Sequence, residues 1–194
     1  MSRMFKNSHH DMDWIERIAR AFARRGHEQY ADDPVTQVQH ALQCAHLAER
    51  EDGRPDMVVA AFLHDVGHIL HDEALPPDVE HDLHDHHEDR GFAVLRDHLG
   101  ERVARLVQLH VDAKRYLCTV DPGYIETLSP TSQKSFRDQG GAMNDAERAA
   151  FEGDPHHADA VILRRWDDRA KDPGADTPTV DHYLDRVRRL AAES

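Results

Sequence analysis

The sequence predicts an all-α fold, and three observations carry that reading. Apolar residues recur at three- and four-residue spacing through most of the chain. Cap and stop signals delimit those stretches, and neither a sustained β-period alternation nor an internal repeat occurs. About eight helices result. At 194 residues the chain reads as a single domain, 1–194, long enough to bury a substantial core.

The first helix runs from Met12 to Arg25, with Trp14, Ile15, Ile18, Ala19 and Phe22 on its apolar face and Gly26 as its stop. A polar loop from Gly26 to Pro34 follows, and Asp33-Pro34 suits entry into a helix. That second helix, Val35 to Glu49, packs through Val38, Leu42, Ala45 and Leu47, while Gln37, His40 and Cys44 lie along another line. Gly53-Arg-Pro55 breaks it. The third helix, Asp56 to Leu70, begins apolar and carries Ala60-Ala-Phe-Leu-His-Asp-Val-Gly-His68. Pro76-Pro77 and an acidic, histidine-rich stretch then form an irregular loop.

His87-Glu-Asp-Arg-Gly-Phe-Ala-Val-Leu opens the fourth helix, and Glu101 to Lys114 is the fifth, with Val103, Leu106, Val107 and Leu109 on its core side. Arg115 to Tyr124 reads as an irregular connector. Ser129 caps a helix with Pro130 at its first position, and Gly140-Gly141 ends it. The same cap-and-proline signal at Asp154-Pro155 starts a helix reaching Lys171. The last, Val180 to Ala192, is amphipathic through Tyr183, Leu184, Val187 and Leu190.

Composition narrows the function classes. A net charge of −13 argues against a nucleic-acid partner, though a local basic pocket for a small anion remains compatible with it. No window approaches the ~18 apolar residues of a membrane span. The N-terminus lacks a signal-peptide pattern, and two distant cysteines, Cys44 and Cys118, suit a reducing cytoplasm. A cytoplasmic protein, monomeric or weakly self-associating, is expected. Seventeen histidines are an excess, too many for all to be ligands. His9 and His10 fall near the terminus, and His81, His84, His86 and His87 crowd the acidic loop.

Spacing sorts them. His64 and Asp65 are adjacent at the end of an apolar run, where core packing alone favours Leu or Ala because buried polar groups need partners. Both can reach one metal, and Asp65, having two oxygens, can bridge to a second. His68 lies one helical turn after His64. Candidate ligands are then His40, His64, Asp65, a histidine at 86 or 87, His110 and Asp167, drawn from five segments. Singly, each is also an ordinary helix residue. Imidazole with carboxylate suits iron, manganese or zinc, and the lack of thiolates argues against a structural zinc site.

These motifs resemble those of the HD-domain metalloproteins, and more narrowly the phosphonate-cleaving, PhnZ-like oxygenases of that superfamily, relatives of myo-inositol oxygenase. The resemblance rests on Tyr30-Ala-Asp-Asp-Pro-Val-Thr-Gln-Val-Gln-His-Ala-Leu-Gln-Cys-Ala45, Leu63-His-Asp-Val-Gly-His68, His87-Glu-Asp-Arg-Gly91, His110-Val-Asp-Ala-Lys-Arg-Tyr-Leu117, Leu128-Ser-Pro-Thr-Ser132 with Gln139-Gly-Gly141, and Arg164-Arg-Trp-Asp167. It covers residues 26–171, so a single HD-domain helical bundle is implied, with the terminal helices packed on it. His-Asp alone is common among hydrolases; the additional histidines with His-Val-x-x-Lys-Arg-Tyr-Leu are more specific.

The resemblance implies two iron ions, Fe2+ and Fe3+, with O2 as co-substrate. His40, His64, Asp65 and Asp167 would serve one iron, His110 and His87 the other, with Asp65 bridging. The family's His-Glu-x-x-Gly pattern selects His87 over His86. Tyr30, His68 and Lys114 are expected to act in catalysis, Tyr30 closing an open metal position until substrate arrives. Lys114 follows His110 by four residues, Arg164 precedes Asp167 by three, and Ser132 sits in a helix's first turn. With His68 they would hold a phosphonate. Asp33 falls where a family acid meets the substrate's ammonium, and its short side chain leaves room for a trimethylammonium.

The expected reaction is therefore O2-dependent C–P cleavage of 1-hydroxy-2-(trimethylammonio)ethylphosphonate to glycine betaine and phosphate. Hydrogen would leave C1 after the hydroxyl and a phosphonate oxygen chelate one iron. Alternatives are the same chemistry on 2-amino-1-hydroxyethylphosphonate giving glycine, a metal-dependent HD phosphohydrolase, and a non-catalytic metal-binding regulator.

Overall fold

In a computed structural model of the chain, residues 8–70 and 86–193 are described, with side chains from Trp14 onward. The Pro76-Pro77 loop with His81 and His84, and the side chains of His9 and His10, lie outside the described residues. Among those described the fold is all-α: α1 Ser8–Arg25, α2 Gln37–Glu51, α3 Pro55–Leu63, α4 Val66–Ile69, α5 His87–Val120, α6 Tyr124–Thr127, α7 Pro130–Asp138, α8 Asp145–Gly153, α9 His157–Arg169 and α10 Val180–Glu193.

The centre is α3. Met57 to Leu63 are all buried, so this helix has no polar face and must be surrounded. It packs against α2, α5, α9 and α10, while α1 closes over α10 and α4. Phe62 stacks between Phe22 and Tyr183, which ties the first and last helices to the middle one. Reciprocal hydrogen bonds between Thr36 and Gln39 start α2, and between Asn144 and Glu147 start α8.

Several elements depart from expectation for identifiable reasons. The third helix is not continuous: Asp65, at φ −102° and ψ 13°, interrupts it and separates α3 from α4. The break lets Gly67 nest on the start of α5, where an added Cβ would lie 2.0 Å from the carbonyl oxygen of His87. The expected fourth and fifth helices both form and meet at Gly100, whose φ of 79° favours glycine. The connector after Lys114 stays helical to Val120 because Leu117 is buried on that line. The helix α8 was not anticipated; it offers one buried aromatic, Phe151, in nine residues. Finally, Asp154 accepts hydrogen bonds from the His156 amide and Arg105 Nε, both at 2.8 Å, so α9 begins at His157 rather than at Pro155.

Candidate active site

Three helices aim four imidazoles at one buried point. His40 comes from α2, His64 from the end of α3, and His87 and His110 from either side of the Gly100 break in α5. Three rings are turned by a main-chain carbonyl that accepts from Nδ1: Ala170 for His40 at 2.9 Å, Ala61 for His64 at 2.8 Å, and Val107 for His110 at 2.6 Å. These bonds assign the proton to Nδ1 and leave a lone pair on Nε2. Yet the Nε2 atoms of His40 and His64 lie 3.1 Å apart, and those of His87 and His110 3.2 Å apart. Two imidazole lone pairs at that separation repel unless a proton or a metal ion lies between them. Ligands about 2.1 Å from one metal and at right angles sit ~3.0 Å apart, so the spacing fits.

Asp65 divides its carboxylate between the two pairs. Its Oδ2 is 3.6 Å from His40 Nε2 and 3.3 Å from His64 Nε2; its Oδ1 is 3.3 Å from His87 Nε2 and 3.4 Å from His110 Nε2. Asp167 from α9 adds Oδ1 at 3.3 Å from His40 Nε2 and Oδ2 at 3.8 Å from His64 Nε2. Asp65 Oδ2 and Asp167 Oδ1 are buried without a well-formed hydrogen-bond donor, a state that native structures rarely leave uncompensated. The donors fall into two groups that share Asp65, each suited to one ion. The residues thus fit two metal ions, which the two groups would hold with Asp65 offering one oxygen to each.

Electrostatics agree with this. Burial pushes the His87 pKa down to about 3, helped by His68, so the ring stays neutral and available as a ligand. Burial also raises Asp65 and Asp167, but the charge of His64 for the first and of Arg164 for the second outweighs it and holds both well below the carboxylate range. Burial lowers His64, yet Asp65 and Cys44 raise it well above the usual value. Without metal a proton therefore occupies His64, and a metal ion competes with that proton.

A cavity of about 100 Å³ opens beside the His87–His110 pair, lined by Tyr30, Asp65, His68, His87, His110, Lys114, Ser132 and Arg164, joined by Gln37, Thr131, Ser135 and Gln139. Tyr30 stacks on the His40 ring at 3.9 Å, and burial followed by the charges of Asp65 and Asp167 keeps its phenol protonated. The loop that carries it is a tight hairpin in which Ala31 takes φ 47°. His68 stacks on His87 at 3.8 Å, from α4 rather than from a continuous helix through His64.

Lys114 is buried, donates to Ser135 Oγ at 2.7 Å, and has no carboxylate within ion-pair distance among the described residues. Burial, then Arg164, bring its pKa down to about 8. Arg164 ion-pairs with Asp167 at 2.7 Å and with Asp168, which also accepts from Tyr124 Oη, while its Nε has no acceptor. The Ser132 amide is used by the Ser129 cap at 3.2 Å, so Ser132 brings its hydroxyl, not that amide, to the cavity.

Of the expected site residues, the structure brings together Tyr30, His40, His64, Asp65, His68, His87, His110, Lys114, Ser132, Arg164 and Asp167. His86 points away, its side chain 48% exposed and 3.5 Å from Glu88. Asp33 does not line the cavity. It is buried one layer behind, where Lys171 Nζ donates to its Oδ2 at 2.8 Å and to the hydroxyls of Ser129 and Ser132 at 2.9 and 2.8 Å. The sequence carries no signal for Lys171, which stands at the end of a charged stretch. The turn after α9 is pinned by Gln43, which bonds both the amide and the carbonyl of Asp172.

A His-Asp pair set at a helix break, with its carboxylate shared between two imidazole pairs, defines an HD-type protein. The chain belongs to the HD domain family, which it matches over residues 38–171. It is 44% identical over 174 residues to the hydroxymethylphosphonate dioxygenase of Gimesia maris, a match covering 86% of this chain and 83% of the relative. It is 36% identical over 177 residues to the glycine-betaine-forming [1-hydroxy-2-(trimethylamino)ethyl]phosphonate dioxygenase of Leisingera caerulea, covering 91% of this chain and 89% of that one. An uncharacterised protein of Acanthamoeba polyphaga mimivirus is 29% identical over 191 residues, covering 93% and 83%. The resemblance to phosphonate-cleaving HD oxygenases is thereby borne out.

Proposed function

We propose that this chain is an O2-dependent oxygenase that cleaves the C–P bond of a small 1-hydroxyphosphonate, with hydroxymethylphosphonate as its substrate. The observation that carries the reading is Asp65, which turns one oxygen to each of two histidine pairs beside a cavity holding a buried lysine with no carboxylate at ion-pair distance among the described residues. His40, His64, Asp65 and Asp167 would hold one iron, and Asp65, His87 and His110 the other. Bound iron supplies the one-electron partner for O2 that amino acids lack.

The chain's own side chains do the rest. Lys114 and the unpartnered Nε of Arg164 face the phosphonate as charge-assisted donors, with the Ser132 hydroxyl alongside. Tyr30 covers the His40 side and excludes water, and His68 supports the His87 ring by stacking. Net reaction of hydroxymethylphosphonate dianion with O2 gives formate and dihydrogen phosphate, one oxygen atom entering each product.

Size favours this substrate. At roughly 10–15 Å³ per water-sized group, a cavity of about 100 Å³ takes on the order of seven to ten such groups. That holds hydroxymethylphosphonate easily and a trimethylammonio tail tightly. The tailed substrate stays as a second reading, favoured by the likeness to the Leisingera caerulea enzyme. Iron content, O2 uptake and phosphate release with each phosphonate test the proposal. Phosphate release from a phosphomonoester under argon, without any O2-dependent phosphonate turnover, would instead mark a hydrolase.

A further inference from the structure

We infer that Lys171 is a specificity-determining residue: its ammonium permanently occupies the buried acid Asp33, so the site selects hydroxyphosphonates with no cationic tail. This rests on the oxygenase reading and extends it to the choice of substrate class.

The geometry shows a completed arrangement. An ammonium has three protons to donate, and Lys171 Nζ has three acceptors at 2.8–2.9 Å, namely Asp33 Oδ2, Ser129 Oγ and Ser132 Oγ. Asp33 is 4% exposed and also accepts from Ser129 Oγ at 3.2 Å. Both bonds fall on Oδ2, and the Lys171 ammonium compensates the carboxylate charge from within the protein. Lys171 Nζ also sits 5.7 Å from the centroid of the Tyr30 ring, a cavity-lining residue. The cluster thus stands directly behind the wall formed by Tyr30 and Ser132.

Two consequences follow for a ligand. A substrate carrying an ammonium or trimethylammonium would meet Lys114 and Arg164 in the cavity while Asp33 behind the wall is already paired, and displacing Lys171 would strand a buried charge. A discrimination of about 100-fold or more against such substrates is expected. A tail-free substrate meets no such barrier. It also gains a donor, because Ser132 Oγ accepts from Lys171 and keeps its own proton for a phosphonate oxygen.

The test compares wild type, Lys171→Met and the double variant Asp33→Asn with Lys171→Met, all with iron content and melting temperature verified. Each is given hydroxymethylphosphonate, 2-amino-1-hydroxyethylphosphonate and its trimethylammonio counterpart, and calorimetry follows binding of methylphosphonate and 2-aminoethylphosphonate. Wild type should favour hydroxymethylphosphonate by about 100-fold in kcat/KM. Lys171→Met should narrow that ratio at least tenfold and bind 2-aminoethylphosphonate more tightly, and the double variant should lose the gain, because it depends on the freed acid. A merely structural lysine predicts equal losses on all substrates. An unchanged ratio in Lys171→Met, a wild type within tenfold on the tailed substrates, or a gain surviving in the double variant would each overturn the inference. If no phosphonate is turned over yet analogue binding still shifts as described, the oxygenase reading fails and the role of Lys171 stands.

Discussion

The closest backbone approach in the site is at Gly67, and it sets up a sharp perturbation. In Gly67→Ala the new Cβ would sit 2.0 Å from His87 O and 2.8 Å from His87 C, where contacts below 3.0 Å are essentially never found. Both neighbours are main chain, so no side chain can swing aside. The start of α5 and the 65–67 segment must separate by about 1 Å, several times the ~0.2 Å tolerance of a metal–ligand distance. His87 or Asp65 therefore leaves its place, and the ion they would share is lost. Overpacking of this kind costs about 1–3 kcal/mol, or about 2–12 °C in Tm for a chain of this size, and a ligand misplaced by ~1 Å costs about 100-fold in rate. Elemental analysis should show metal falling from two ions per chain towards one, with turnover down at least 100-fold and the helical circular dichroism retained. Gly153→Ala, where nothing lies within 4 Å, is the control. A Gly67→Ala protein that keeps both metals and full turnover would refute the reasoning.

Other expectations follow from the same geometry. Asp65→Ala should abolish binding of both ions, whereas Asp167→Ala should weaken only the His40–His64 site; metal titration separates the two outcomes. Lys114→Met removes a charge-assisted donor worth about 1.5–3 kcal/mol, so kcat/KM should fall about 10- to 100-fold with metal content unchanged. The Lys114 pKa is lowered to about 8, so its charge is present below that pH and lost above it. The kcat/KM for a phosphonate should accordingly decline as pH rises through 8, with the fall moved to higher pH in kcat because a bound dianion favours the charged lysine; a flat profile to pH 10 would count against Lys114. Tyr124→Phe removes the hydrogen bond to Asp168, a partner of Arg164, and should raise KM a few-fold, about 1 kcal/mol, with little change in kcat.

Much of this was legible in the sequence. His64 and Asp65 could be picked out because they end an apolar run that packing alone would fill with apolar residues, whereas His40, His110 and Asp167 stand out only jointly, as metal-ligand types from separate helices. The offset from Gly91 separated His87 from His86, and Gly91 does pack closely, a Cβ there falling 2.8 Å from Val107. The break at Asp65 was hidden because Val66 and Ile69 continue the apolar pattern across it. The helix α8 was hidden because one buried Phe in nine residues gives no periodicity to read. In the sequence Asp33 reads as an open acid because its counter-charge lies 138 positions away. A pairing of that kind leaves no local trace, and only the folded chain reveals that the acid is already compensated.

The turn after α9 performs two tasks one peptide bond apart: the Ala170 carbonyl aims the His40 ring, and the next side chain reaches Asp33. A lineage adapting to a different nutrient can exchange residue 171 together with its partner Asp33, but it cannot lengthen, shorten or rigidify this turn without losing the aim of His40. Diversification at this spot should therefore proceed by point replacement and leave the loop length alone.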